Sequence, residues 1–166
     1  VVKHFPGHGS STGDSHEGLV DITETYKQEE LAPYYYLQSK GLLNAVMTAH
    51  IVNKNIDPTG LPATLSALFI ENILRKQIGF VGVVISDDIQ MGAITSRFGF
   101  EYALIKAINA GCNMLILSNN STAGYDENIA QKAVEAIYQA VKQGKIPQEK
   151  IDLSIEKIQI LKNSLL

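Results

Sequence analysis

Val81-Gly82-Val83-Val84-Ile85-Ser86, closing on Asp87-Asp88, is an apolar, largely β-branched run with no polar alternation until its end. β-branched side chains suit extended backbone, and a strand without alternation reads as one buried on both faces, as in a parallel sheet. Three further runs have the same character: Val1-Val2-Lys3-His4 (the tail of a strand), Asn44-Ala45-Val46-Met47-Thr48-Ala49-His50, and Asn113-Met114-Leu115-Ile116-Leu117-Ser118. Helical patterns separate them. A capping box over Thr25-Tyr26-Lys27-Gln28 predicts a helix running through Leu31 toward Leu37, its first turn delayed by Pro33. Further helices are predicted over 67–78 (capped by Ser66, ended by Gly79), 101–110 (ended by Gly111), 128–143 (ended by Gly144) and 148–163. Ile129, Ala133, Ile137 and Val141 share one helical face, and Ile151, Ile155, Ile158 and Leu161 another. A strand–helix unit repeated in this way predicts an α/β fold around a parallel sheet.

The connections differ in kind. Helix-to-strand turns are short, as at Gly79-Phe80 and Gly111-Cys112, whereas the strand-to-helix loops after Phe5, Ile51, Asp87 and Asn119 are long and polar. In α/β folds the functional loops follow the C-terminal ends of strands. Those ends here carry Lys3 and His4, then His50, then Asp87, then Asn119. A complete (β/α)8 barrel needs about 250 residues, and this chain of 166 residues supplies only part of one. A small open sheet and half a barrel both satisfy the periodicity.

The length suffices for one domain with a core. A net charge of -3, with Lys and Arg scattered among Glu and Asp, gives no support to a nucleic-acid partner or an acidic membrane surface. One cysteine, Cys112, among Ala110, Met114 and Ile116, excludes an internal disulfide framework and a cysteine metal site. No segment is apolar enough for a membrane span. The chain begins on Val1-Val2 with no initiator Met, so cytoplasmic and periplasmic or secreted compartments stay equally open.

Two segments concentrate chemistry. Lys3-His4-Phe5-Pro6-Gly7-His8-Gly9 and the following Asp14-Ser15-His16 bury little apolar surface and gather a cation, imidazoles and a carboxylate. Asp14 and His16, two apart in an extended loop, can pair so that the carboxylate fixes the imidazole tautomer and raises its basicity, which makes a general acid/base near neutral pH. On spacing alone an Asx-turn beside an exposed histidine is the stronger reading. Asp87 closes an apolar strand, a place for a nucleophile and equally for a helix N-cap. Asp88 suits the structural role better. Lys3 and His4 alternate along a strand end, so both reach one side only if the strand bends, which Phe5-Pro6-Gly7 permits. Their functional reading is hydrogen bonding to a polar ligand, and their alternative is a surface Lys and a satisfied His. His8 and His50 read as structural histidines, and Met91 as packing. A zinc site from His4, His8 and His16 fits no usual ligand spacing, and neither a phosphate loop nor a dinucleotide fingerprint is present. No cofactor is called for.

Taken together these segments, with Pro62-Ala63-Thr64-Leu65-Ser66 and the Ser86-Asp87-Asp88 segment followed by Met91, resemble glycoside hydrolase family three, in its subgroup of NagZ-like β-N-acetylhexosaminidases. The resemblance implies a TIM-type (β/α)8 barrel of which residues 1–166 are the C-terminal half, strands five to eight. It implies retaining hydrolysis of terminal β-linked N-acetylhexosamine, with Asp87 as nucleophile, His16 as acid/base, Asp14 as its partner, and Lys3 and His4 on the sugar. The partner implied is a small carbohydrate, either a cell-wall muropeptide or a chitin fragment. The stretch Gly9-Ser10-Ser11-Thr12-Gly13 departs from the Asp-Thr segment of many relatives, which bears on loop shape and leaving-group preference. An imidazole in place of a second carboxylate does not repel an anionic acceptor, so a phosphorylase, or a β-glucosidase of the same family, is the alternative activity. A reading of another class is a non-catalytic fragment or binding module. Half a barrel exposes two strand edges and would need its other half or self-association.

Overall fold

The computed structural model describes residues 1–13, 18–120 and 124–164. Four parallel strands form the main sheet, β1 (Val2–Phe5), β3 (Ala45–Thr48), β5 (Val83–Asp88) and β6 (Met114–Ile116), side by side in that order. Each crossover therefore lands on the adjacent strand. Right-handed crossovers without a reversal of strand order put every connecting helix on one face. The apolar contacts agree. Val46 and Val84, paired across β3 and β5, are fully buried in one cluster with Phe69, Ile70 and Leu74 and with Leu104 and Ala107. The row on the opposite face, Met47–Ile85–Met114, stays partly exposed, with Met114 at 39%.

The helices are α1 (Ala32–Ser39), a wide helix at Leu68–Gln77, α2 (Gly92–Phe98), α3 (Phe100–Ala110), α4 (Ile129–Lys142) and α5 (Gln148–Asn163). Gly79, Gly111 and Gly144 follow their helices at positive φ, as expected. Pro33 stands in the first turn of α1, behind a 3₁₀ turn at Gln28–Leu31.

Several local expectations are corrected. No capping box forms at Thr25, whose hydroxyl has no partner among the described residues; the backbone turns there through Thr25 and Tyr26 N–H donating to Ile22 O. Ser66 does not cap its helix either. Its hydroxyl donates to Asp57 Oδ2 at 2.5 Å, and that buried carboxylate also takes the Thr59 N–H. The helix it precedes is π-type, with Ile78 N–H reaching Ile73 O. α2 lies inside the loop after β5, where no element was expected. A second, two-stranded parallel sheet pairs β2 (Val20–Asp21) with β4 (Ile51–Val52), joining the loops above β1 and β3. On the α5 stripe Ile151, Ile158 and Leu161 are half-buried, Ile151 packing against Ile108, Ala140 and Ile146, while Ile155 is 61% exposed.

The end of the sheet opposite these long loops is locked by polar bonds. Asn113 Oδ1 accepts from Val84 N–H and from Arg75, while its Nδ2 donates to Ser154 on α5. Arg75 also donates to Phe80 O and Gly82 O and stacks 5.0 Å from the Phe80 ring. No described helix is long and apolar enough to cross a membrane.

Candidate active site

The rim at the C-terminal strand ends is built from three strands. β1 contributes its polar pair through an irregularity. Val2 pairs with Val46 and Phe5 with Thr48, so β1 advances three residues against two on β3. An extra residue of this kind bends a strand and re-aims its side chains. Lys3 is exposed and His4 half-buried, while Phe5 is fully buried edge-on against Tyr34. The chain then turns, with Gly7 N–H donating to His4 O, and the loop is pinned where Gly9 N–H donates to Glu30 Oε2 and Tyr26 Oη–H donates to Pro6 O. Gly7 sits at φ +131°, and a Cβ there would lie 2.6 Å from the Glu30 Cβ. Only glycine brings the loop so close to that side chain.

β5 ends in a second irregularity. Ile85 pairs with Met114 and Asp88 with Ile116, again three residues against two. The Ile116 N–H released there is taken by Ser86 Oγ at 3.0 Å. Ser86, fully buried, thus supports the strand rather than facing a ligand. The two carboxylates that follow divide their work. Asp88 Oδ1 accepts from Gln90 N–H and Ser118 N–H, and its Oδ2 accepts from Ser118 Oγ, so it binds β5 to the loop after β6. Asp87 is half-buried and, among the described residues, accepts only from the Asp88 N–H, Oδ1 at 2.9 Å. Met91 is half-buried and opens α2.

The end of β3 supplies His50, fully buried, with Nε2 2.8 Å from Asp88 O. A carbonyl only accepts, so Nε2 carries the proton. Burial pushes His50 below the usual histidine range, against the Asp88 carbonyl and the charges of Asp87 and Asp88, while His4 adds to the depression. His50 is therefore neutral. The His4 and His8 rings meet edge-on with centroids 6.4 Å apart. The structure thus brings His4, His50, Asp87 and Asp88 to one rim, with Lys3 beside His4. Asp14 and His16 lie outside the described residues, as does the zinc set that would include His16. Among the described residues no group of three His, Cys, Asp or Glu side chains is placed to hold a metal.

The chain matches a known family. The model of the glycosyl hydrolase family 3 N-terminal domain fits residues 1–161. The chain belongs to glycosyl hydrolase family 3. Among its family 3 relatives, a beta-hexosaminidase of Shewanella frigidimarina is 40% identical over 124 residues, covering 73% of this chain and 36% of its own length. A beta-hexosaminidase of Psychromonas ingrahamii is 35% identical over 160 residues, 93% of this chain and 47% of its own. Among solved structures, CbsA from Thermotoga neapolitana superposes with a TM-score of 0.87 at 32% identity, over 99% of this chain and 35% of that one. A family 3 beta-N-acetylglucosaminidase from Paenibacillus sp. superposes at 0.86 with 35% identity, over 98% and 30%. The chain spans between a third and half of the length of these curated relatives.

The sequence reads His50 as a structural histidine, which its burial and its bond to Asp88 O bear out, and names Ser86 only in a cluster with the two aspartates. The polar residues that close apolar strands were the available signal for both. Their partners, Asp88 O and the Ile116 N–H, are products of the fold.

Proposed function

We propose that the chain is the C-terminal half of a TIM-type (β/α)8 barrel, strands five to eight, of a retaining glycoside hydrolase. It removes terminal β-linked N-acetylglucosamine. Asp87 attacks the anomeric carbon as the glycosidic C–O bond breaks, and the leaving oxygen takes the proton of His16, oriented by Asp14. Water, deprotonated by His16, then cleaves the glycosyl-Asp87 ester and restores both groups. Lys3 and His4 bind sugar hydroxyls.

The observation that carries this reading is the division between the two carboxylates at the end of β5. Asp88 is committed to Gln90 and Ser118, while Asp87 keeps one oxygen without a hydrogen bond among the described residues and stands partly open at the rim. A retaining mechanism requires a carboxylate in that condition. The sheet's consecutive parallel order supports the barrel, and the similarity to beta-hexosaminidases and a beta-N-acetylglucosaminidase supports the sugar. The test is Asp87→Asn in the full-length protein, assayed on an aryl β-N-acetylglucosaminide with folding followed by circular dichroism. The expected result is loss of turnover in a folded protein, and wild-type turnover in that variant overturns the assignment.

A further inference from the structure

We infer that His50 is a positioning residue for the Asp87 carboxylate, acting through the backbone of Asp88. The inference rests on the reading of Asp87 as nucleophile and adds to it the device that aims it. It begins with the irregularity at the end of β5. Between Ile85 and Asp88 the regular ladder to β6 is interrupted, and the extra residue leaves the segment that carries Asp87 without a full set of sheet bonds. Such a segment is free to rotate about its own backbone unless something else holds it. Beyond it, Ile89 N–H donates to Ile116 O, and the segment itself is held through three groups of Asp88: its carboxylate, its carbonyl and its N–H. The carboxylate is taken by Gln90 N–H and by Ser118 on the β6 side. The carbonyl is taken by His50 Nε2, on the β3 side, at 2.8 Å. The N–H is given to Asp87 Oδ1 at 2.9 Å. Asp88 is thus clamped between its two neighbouring strands, and what the clamp presents to Asp87 is a fixed hydrogen-bond donor.

Each side of the clamp is different in kind. The β6 side is made by the exposed Ser118, two residues past the short strand Met114–Ile116. The β3 side is made by one fully buried imidazole, two residues past the strand Ala45–Thr48, in a stretch where Ala49 N–H donates to Phe5 O and Thr64 N–H to Ala49 O. A side chain locked by packing all round defines a position better than one that solvent reaches. His50 therefore sets where the Asp88 carbonyl sits, and through it the direction of the next N–H back along the chain. Met91 N–H shares the same carbonyl at 3.1 Å, so the start of α2 depends on the same point. Asp87 is 1 residue away from the clamped one, so a small rotation there displaces the attacking oxygen, and misplacement by about 1 Å can cost about a hundredfold in rate.

Glutamine can place an amide N–H near the position of Nε2, whereas asparagine is too short to reach the carbonyl and leucine has no donor. In the full-length protein we expect His50→Gln to stay within about fivefold of wild-type kcat. His50→Asn and His50→Leu should fall about a hundredfold in kcat with KM within twofold. Asp87→Asn is assayed beside them on the same aryl glycoside, with thermal unfolding recorded for all. A folded His50→Gln variant as slow as His50→Asn overturns the inference, as does a set in which KM rises and kcat holds. If His50→Leu does not fold, the Gln and Asn pair decides. Turnover by Asp87→Asn would instead sink the nucleophile reading itself, and an inert Asp87→Asn beside three unimpaired His50 variants sinks the positioning role alone.

Discussion

Removing the Asp88 carboxylate should cost stability where removing the Asp87 carboxylate does not. In Asp88→Ala three donors lose their acceptor: Gln90 N–H at 3.0 Å, Ser118 N–H at 3.2 Å, and the Ser118 hydroxyl. The site is only half-buried, so water replaces part of each bond, and about 1 kcal/mol per bond is the appropriate scale. The sum is about 3 kcal/mol, less any share that the Ser118 hydroxyl recovers through its second bond, to Asn120 Oδ1. Asp88→Asn keeps Oδ1 for the two N–H groups and offers its amide to Ser118 Oγ, so it should lose about 1 kcal/mol. Among the described residues Asp87 accepts a single bond, from the adjacent N–H, and Asp87→Asn preserves that acceptor, so its stability should stay within about 0.5 kcal/mol of wild type. Urea unfolding of the full-length protein, with the slope checked for constancy, ranks the three. The division of labour is refuted if Asp88→Ala unfolds with the wild-type midpoint, or if Asp87→Asn loses as much as Asp88→Ala.

Burial keeps His50 neutral when the unfolded chain would protonate it, so the folded state binds fewer protons below about pH 6.5. Stability should therefore fall as pH drops from 7.5 toward 5, and His50→Gln should lose that part of the fall, read from unfolding midpoints at each pH. Cys112 is fully enclosed and its thiol is pushed up to about 12 by burial, so a thiol reagent at neutral pH should leave it unmodified until the protein is unfolded by denaturant. Gly82→Ala places a Cβ 2.2 Å from the Asn44 carbonyl oxygen, on backbone that carries the β3–β5 pairing, and should cost about 1 to 3 kcal/mol in chemical denaturation. If the imidazole acid/base admits anions as acceptors, saturating phosphate should divert product to the sugar phosphate. Free sugar alone under those conditions removes the phosphorylase alternative.

The main sheet was readable because its strands are continuous apolar runs. Val83 to Ile85 and Ala45 to Met47 announce themselves without any knowledge of their partners. The two-residue strands Val20–Asp21 and Ile51–Val52 carry no period at all and exist only because the loops above β1 and β3 meet. Ser66 has the right chemistry for a helix cap, and nothing local says that Asp57, buried nine residues earlier, competes for its hydroxyl and wins. The candidate site shows the same limit. That polar residues close the strands is visible in the sequence, but Asp87 and Asp88 are identical in type and adjacent. Ser118, which separates their roles, lies 30 residues away and arrives only through the β5–β6 pairing. Asp14 and His16, outside the described residues, rest on the family resemblance.

The side-chain amide of Asn113 has both of its ends engaged, one on β5 and Arg75, the other on α5. That knot lies at the foot of the sheet, as far from the histidines and carboxylates as the strands allow. Remodelling of the upper loops need not disturb it. A protein engineer could therefore exchange the segments above β1, β3 and β5 while treating the foot as a fixed chassis.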